Sequence, residues 1–146
     1  MERELLTDSL TGAHNRHFFF TKLDLKDFKN GWLYFLDLDG FKILNDSKGH
    51  IHGDRLLRRF VGDLRGCLGA KDVLIRYAGD EFIVVATTAR RLRSKQAFSQ
   101  GSVAIRGQDK RGLLERADRA MYRHKAERKN GKSGIMEDHA KSQFHG

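Results

Sequence analysis

The sequence predicts an α+β fold of the ferredoxin-like, palm-like kind, a sandwich with a mostly antiparallel central sheet flanked by helices. Three observations carry that expectation. Residues 32–36 (WLYFL) form an unbroken apolar run, the pattern of a strand covered on both faces. Farther along, Leu56, Leu57, Phe60, Val61, Leu64, Cys67 and Leu68 recur with helical spacing. Residues 73–86 then place two short apolar runs on either side of Ala78, Gly79, Asp80 and Glu81, which reads as a hairpin.

Taken in order, Asn15 caps a first helix expected to run to about residue 29. The 32–36 strand follows and ends in acid, at Asp37. The helix from about residue 52 to residue 68 should lie across the sheet. Strands at 73–77 and 82–86 come next, with Gly79 at the first central turn position, where a tight hairpin calls for positive φ. Residues 98–105 form a further strand, and Leu113, Leu114, Ala117, Ala120 and Met121 mark the inner face of a last helix. Ile135 and Met136 suit a short edge strand, and residues 137–146 a flexible tail, leaving 1–136 as the domain. The chain contains no proline, so glycine supplies its punctuation.

At 146 residues the chain holds one domain with a sizeable core and is too short for two of ordinary size. Its single cysteine, Cys67, cannot form an internal disulfide, and no N-terminal apolar run suggests a signal peptide or membrane span. A reducing, cytoplasmic setting is expected. The net charge of +9 is unevenly spread: residues 1–86 hold 13 basic and 13 acidic side chains, residues 87–146 hold 15 and 6. That later surplus suits a phosphorylated partner, nucleotide or nucleic acid, or else a solvated helix face.

If the 32–36 strand lies beside the hairpin, Asp37 and Asp80 converge at one edge of the sheet. Two like charges ~4 Å apart repel by about 4 kcal/mol even at an effective dielectric of about 20, so they need a cation or a shared proton. Magnesium suits such a pair, because it takes one or two carboxylates and completes its shell with water and substrate phosphate. The competing reading of Asp80 and Glu81 is a plain polar turn.

AGDEF, residues 78–82, resembles the signature of the GGDEF family of diguanylate cyclases. Three further segments resemble that family in the same order: DSLTGAHNR (8–16) its entry turn, FLDLDGFKILNDSKGHIHGD (35–54) its metal- and guanine-binding segment, and ADRAMYRHK (117–125) its closing helix. The resemblance implies a bacterial signalling enzyme that condenses two GTP to cyclic di-GMP and pyrophosphate. It also implies a homodimer, at least transient, with one GTP on each chain, and Mg2+ as cofactor with Mn2+ as its substitute.

The site residues it implies are these. Asp37 and Asp80 would bind metal through their side chains and Leu38 through its carbonyl, with Glu81 as a further metal contact or a proton handler. The backbone amides of Asp39, Gly40 and Phe41 would face the triphosphate, beside the point charge of Lys42. Asn45 and Asp54 would read guanine, because a carboxylate accepts from both N1–H and the exocyclic amine, whereas adenine leaves it unpaired. Lys125 and Lys129 would neutralise the β- and γ-phosphates. Helix capping by Asn45 and Asp46, and a plain surface role for Lys42, stand as alternatives. His50 and His52 read as polar loop residues rather than metal ligands, since magnesium prefers oxygen. Phe18, Phe19 and Phe20 read as packing.

The chain also departs from the family pattern. Position 78 is Ala where the family usually has Gly, costing about 1 kcal/mol only if positive φ is required there. The connection after the signature hairpin is shortened, leaving too few residues for the usual helix, so an exposed sheet face or an altered dimer surface is expected. The Arg-x-x-Asp product-inhibition motif reads GAKD, Gly69 to Asp72, without the arginine fork. Only seven residues precede Asp8, so no attached sensory or dimerising domain is expected, and regulation would come through expression, self-association or a protein regulator. Two other functions compete: a catalytically weak GGDEF-like nucleotide-binding or protein-interaction module, and a ferredoxin-like nucleic-acid binder. The central acids argue against the last, because they would repel a phosphate backbone.

Overall fold

The computed structural model describes residues 5–137 of the chain. Its sheet has five strands, β1 (His14–Asn15), β2 (Trp32–Leu38), β3 (Val73–Ala78), β4 (Glu81–Ala86) and β5 (Phe98–Ala104), in the order β1-β3-β4-β2-β5. Only the short β1–β3 pair is parallel; β3–β4, β4–β2 and β2–β5 are antiparallel. The helices among the described residues that bear on it are α1 (Arg16–Thr21), α2 (Phe41–Lys48), α3 (His50–Arg65) and α4 (Lys110–Glu137).

The unbroken apolar run has the expected cause. Side chains alternate across a strand, so Tyr34, Leu36 and Leu38 of β2 join Phe82 and Val84 of β4 on one face, under Leu57, Phe60, Val61 and Leu64 of α3. Leu33, Phe35, Ile83 and Val85 point to the other face, where Phe19, Leu113, Leu114, Ala117 and Met121 cover them. Each large apolar side chain so buried contributes about 1.5–3 kcal/mol, and a one-residue slip of β2 would only exchange one apolar face for the other. Cross-strand register, rather than burial alone, therefore fixes which residues reach the sheet edge.

Several boundaries differ from expectation. The first helix ends at Thr21 rather than near residue 29, because Lys22 and Leu23 both donate to the Phe18 carbonyl, and the Asp24 carboxylate then caps a separate 3₁₀ turn at Leu25–Phe28. The helix placed at 52–68 begins at His50 and closes at Arg65, with a further helix, α2, ahead of it. Residues 135–136 are helical, not an edge strand: α4 meets no proline, and each added residue gains a backbone bond that two apolar residues do not outweigh. Of the proposed tail, 138–146 lies outside the described residues.

The hairpin is built differently too. Gly79 is not among the residues with positive φ. Instead the register shifts between Arg76 and Ala78, a bulge that leaves Ala78 paired with Glu81 and supplies the local twist. Ala78 sits in ordinary strand backbone, so its methyl group carries no conformational cost.

The shortened β4–β5 connection contains no helix, yet the sheet face beneath it is not bare. Leu92 plugs the core at 6% exposure, and Tyr34 beneath it is 5% exposed. The Arg90 amide donates to the Tyr34 hydroxyl at 2.7 Å, and Ser94 donates to Asp63 at 2.7 Å. Asp72, whose side chain is fully buried, accepts from Gly69 N–H, Thr87 N–H and Arg90 Nε at 2.8, 3.1 and 2.6 Å. A polar clasp thus does what a helix would otherwise do.

Candidate active site

The β2–β4 register sets Asp37 directly opposite Glu81, and the Leu38 amide donates to the Asp80 carbonyl at 3.0 Å. Three carboxylates therefore meet where β2 ends and the hairpin turns. Arg76 holds that turn, donating to the Gly79 carbonyl through Nε and Nη2 at 3.1 and 2.8 Å while its Nη1 reaches Asp8 at 3.2 Å. Burial pushes the Asp8 carboxyl up, but bonds from Thr11 and the Arg76 guanidinium prevail and hold it below the usual carboxylate range.

Asp37 is 8% exposed. Burial, with Asp80 alongside, pushes its carboxyl above the usual range despite the Lys125 ammonium 3.0 Å from Oδ2. Burial, then Asp37 and Asp80, pushes Glu81 up as well. Lys125 is raised as well, toward its charged form: burial disfavours its charge, but the Asp37 carboxylate outweighs that. Asp37 Oδ1 is buried with no hydrogen-bond partner, and an orphaned carboxylate oxygen in this position costs about 1–3 kcal/mol unless something binds it.

That oxygen supplies the test of a divalent cation. Among the described residues there is no group of three or more His, Cys, Asp or Glu that forms a closed metal cage. Two carboxylates and a backbone carbonyl are instead the sparse oxygen set that magnesium takes when a phosphate substrate completes its shell. Asp37, Asp80 and Leu38 fit that description.

The 38–42 segment leads from this edge into α2. Asp39 is more tied down than expected: its amide donates to the Ala97 carbonyl at 2.9 Å, and its carboxylate accepts from Ser99 at 2.7 Å and Arg128 at 2.9 Å. Its backbone N–H is therefore not free to face a phosphate. Phe41 and Lys42, in the first turn of α2, have N–H groups with no intrahelical acceptor, and Gly40 leads into them. The Lys42 side chain is exposed.

Asn45 lies on α2 and Asp54 on the first turns of α3, with the buried Gly53 between the helices. A Cβ at Gly53 would run into the Asn45 side-chain oxygen and approach the Phe41 ring, so the close packing of α2 on α3 depends on that glycine. His50 stands 3.1 Å from the Asn45 amide nitrogen through Nδ1. Lys125 lies at the acidic cluster, whereas Lys129 is exposed one helical turn on. Phe19 is core, and Phe18 stacks on His14 with centroids 3.7 Å apart, as packing residues should.

The model of the diguanylate cyclase GGDEF domain matches residues 5–98. The chain belongs to the GGDEF family. Among its relatives, diguanylate cyclase DgcP of Pseudomonas aeruginosa is 33% identical, with 84% of this chain and 23% of that protein aligned. Response regulator PleD of Caulobacter vibrioides is 32% identical over 88% of this chain and 36% of its own length. A relative named cyclic di-GMP phosphodiesterase PdeR, from Escherichia coli, is 34% identical over 80% and 22%. The chain thus spans roughly a quarter to a third of the length of these relatives. A solved microbial GGDEF domain described with bis-(3′,5′)-cyclic di-GMP superposes with a TM-score of 0.70 at 32% identity, covering 85% of this chain and 92% of that one. The GGDEF domain of DgcB from Caulobacter crescentus, solved with cyclic di-GMP, gives 0.71 at 25%, covering 83% and 90%.

Sequence reasoning missed three side chains that shape this GGDEF domain's site. Arg128 and Ser99 together fix the Asp39 carboxylate, and Arg76 fixes the hairpin tip. Arg128 had a signal: it follows Lys125 by three residues, and positions three apart share a helix face. Ser99 had none, because its role depends on β5 pairing with β2 at Asp37.

Proposed function

We propose that this GGDEF domain is a diguanylate cyclase, joining two GTP molecules into cyclic di-GMP across a dimer of half-sites. The supporting observation is the buried, unpartnered Asp37 Oδ1 beside Asp80 at the sheet edge. Asp37, Asp80 and the Leu38 carbonyl would hold Mg2+. When bound, the ion stabilises charge on the phosphates and lowers the pKa of the attacking hydroxyl.

The chain's own residues do the rest. Gly40 and Phe41 offer backbone donors to the triphosphate, Lys42 and Lys129 lend charge, and Asp39 positions the segment through Ser99 and Arg128. Asn45 and Asp54 select guanine. Lys125 balances Asp37 before substrate arrives and turns to phosphate afterwards, so the acidic cluster keeps a counter-charge in both states. The 3′-oxygen of one GTP attacks the α-phosphorus of the other, the bond to the β-phosphate oxygen breaks, and pyrophosphate leaves. Glu81, with a carboxyl made more basic by its surroundings, would accept the hydroxyl proton. The reciprocal step closes the ring and releases a second pyrophosphate.

No helix among the described residues is long and apolar enough to cross a membrane. The proposed reaction belongs in the cytoplasm, where GTP is held. Chromatography after incubation with GTP and Mg2+ tests the activity: cyclic di-GMP and pyrophosphate should appear in a ratio of about one to two, and ATP should give neither. Specific activity of this chain should rise with protein concentration until dimers saturate. GTP binding without product at any concentration would favour the silent nucleotide-binding module, a reading that the phosphodiesterase-named relatives keep open.

A further inference from the structure

A cleft of about 960 Å³ has no part in this chemistry. It opens where α1, the 3₁₀ turn and the β5–α4 loop meet, and its lining includes Asn30, just before β2, and Ile105, just after β5. β2 begins at this end and reaches Asp37 five residues later, which at ~3.3 Å per residue separates the cleft from the acidic cluster by the length of the sheet.

Its charge is one-sided. Lys22, Lys26, Lys29, Arg106 and Lys110 line it against one carboxylate, Asp24. No carboxylate pairs with Lys26, Lys29 or Arg106 among the described residues. Lys110 sits deeper: its ammonium donates to the Phe19 and Leu23 carbonyls at 2.7 and 2.6 Å, so two of its three protons are fixed and a third remains. The lip is shaped as well. Gln108 is locked at both ends, accepting from Arg106 N–H at 2.6 Å and donating to the Ala104 carbonyl at 2.9 Å, and Asn30 has the only positive φ of a non-glycine residue among those described.

We propose that this cleft binds a small molecule bearing clustered phosphates. Its concavity and volume match a small-molecule site better than the flat surface a membrane needs. No aromatic residue lines it, so it lacks the stacking platform that single-stranded nucleic acid uses. Several cations on flexible stems around a hydrogen-bonded lysine instead suit several phosphates in one ligand. Arg106 and Lys110 of the later basic surplus then have a destination apart from the substrate phosphates.

Inorganic tripolyphosphate, without Mg2+, is the probe, followed by amide NMR on the full chain. Saturable shifts are expected at residues 22–30 and 105–110, retained in Lys125→Met and weakened at least about tenfold in Lys26→Glu/Arg106→Glu. The double variant should keep its melting temperature, since both side chains are exposed. Shifts confined to residues 38–42 and 125–129 would overturn the proposal. So would unsaturable shifts at lysines everywhere, or tighter binding of an RNA oligonucleotide or of phosphatidylglycerol vesicles than of tripolyphosphate. Failure here leaves the cyclase reading intact, because the two sites are read by different amides.

Discussion

Replacing Asp72 with alanine tests whether a side-chain clasp has taken over from a helix. In the native chain its carboxylate receives the Gly69 and Thr87 amides and the Arg90 guanidinium, and a 3.4 Å contact to the Thr87 hydroxyl adds little. Removing it leaves two backbone donors unmatched at about 1–3 kcal/mol each. Arg90, 27% exposed, can turn toward water, so its loss is smaller than for a fully buried ion pair. The expected total is about 3–5 kcal/mol, a third or more of the stability of a marginal domain. In melting temperature that is roughly 10–20 °C. Asp72→Asn keeps an acceptor and should lose less.

Urea unfolding of the two variants and the parent, across pH, is the assay. Hydrogen bonds and Arg90 outweigh burial and hold the folded Asp72 carboxyl below its ordinary value. It therefore contributes stability that is fully present above the unfolded carboxylate pKa of about 4 and is lost as pH falls through the folded value. Asp8 acts in the same direction. The parent should lose stability below about pH 4, and Asp72→Ala should show a flatter acid limb. A loss under about 0.5 kcal/mol at neutral pH, with an unchanged m-value, would refute the clasp, since that is the range of an ordinary surface substitution.

Asp37→Asn and Asp80→Asn should each lower cyclase turnover at least about a hundredfold through lost metal occupancy. The unliganded Asp37→Asn fold should stay within about 1 kcal/mol of the parent in thermal melts, because relief from burial and from Asp80 offsets a partly exposed Lys125 pair. Gly53→Ala drives a methyl group into Asn45, so calorimetry should show GTP affinity reduced about tenfold and discrimination against ATP relaxed, with the fold retained. Gly101→Ala places a Cβ against the α4 backbone at Ala117 and Met121, which cannot give way as a flexible side chain would. A loss of about 3 kcal/mol in denaturant titration is expected, together with reduced activity.

The fold was legible wherever periodicity spoke for itself: β2 to β5, the buried face of α3 and the Leu113–Met121 stripe of α4 all follow from apolar spacing. It was illegible where a boundary depends on one polar side chain, as at Asp24, or on strand register, as in the Arg76–Ala78 bulge. The candidate site divides the same way. Asp37, Asp80 and Glu81 could be read from their place beside predicted strands, whereas the Asp37–Lys125 contact joins residues 88 apart in sequence.

That contact nevertheless has a short geometric cause. Gly101 has no side chain, so α4 settles against β5 at Ala117–Met121. From there β5 runs two residues back to Ser99, about 7 Å, and Ser99 is the cross-strand partner of Asp37. α4 runs the opposite way, and Lys125 lies one turn, about 5.4 Å, beyond Met121. His124 accepts the Gln100 amide at 2.9 Å between these points and keeps the two elements in step. A methyl group at position 101 would push the helix outward, so the same substitution that loosens the core should also draw the Lys125 ammonium off Asp37. Loss of stability and loss of site charge balance should therefore appear together in Gly101→Ala, and a destabilised variant with full GTP turnover would break that chain of cause.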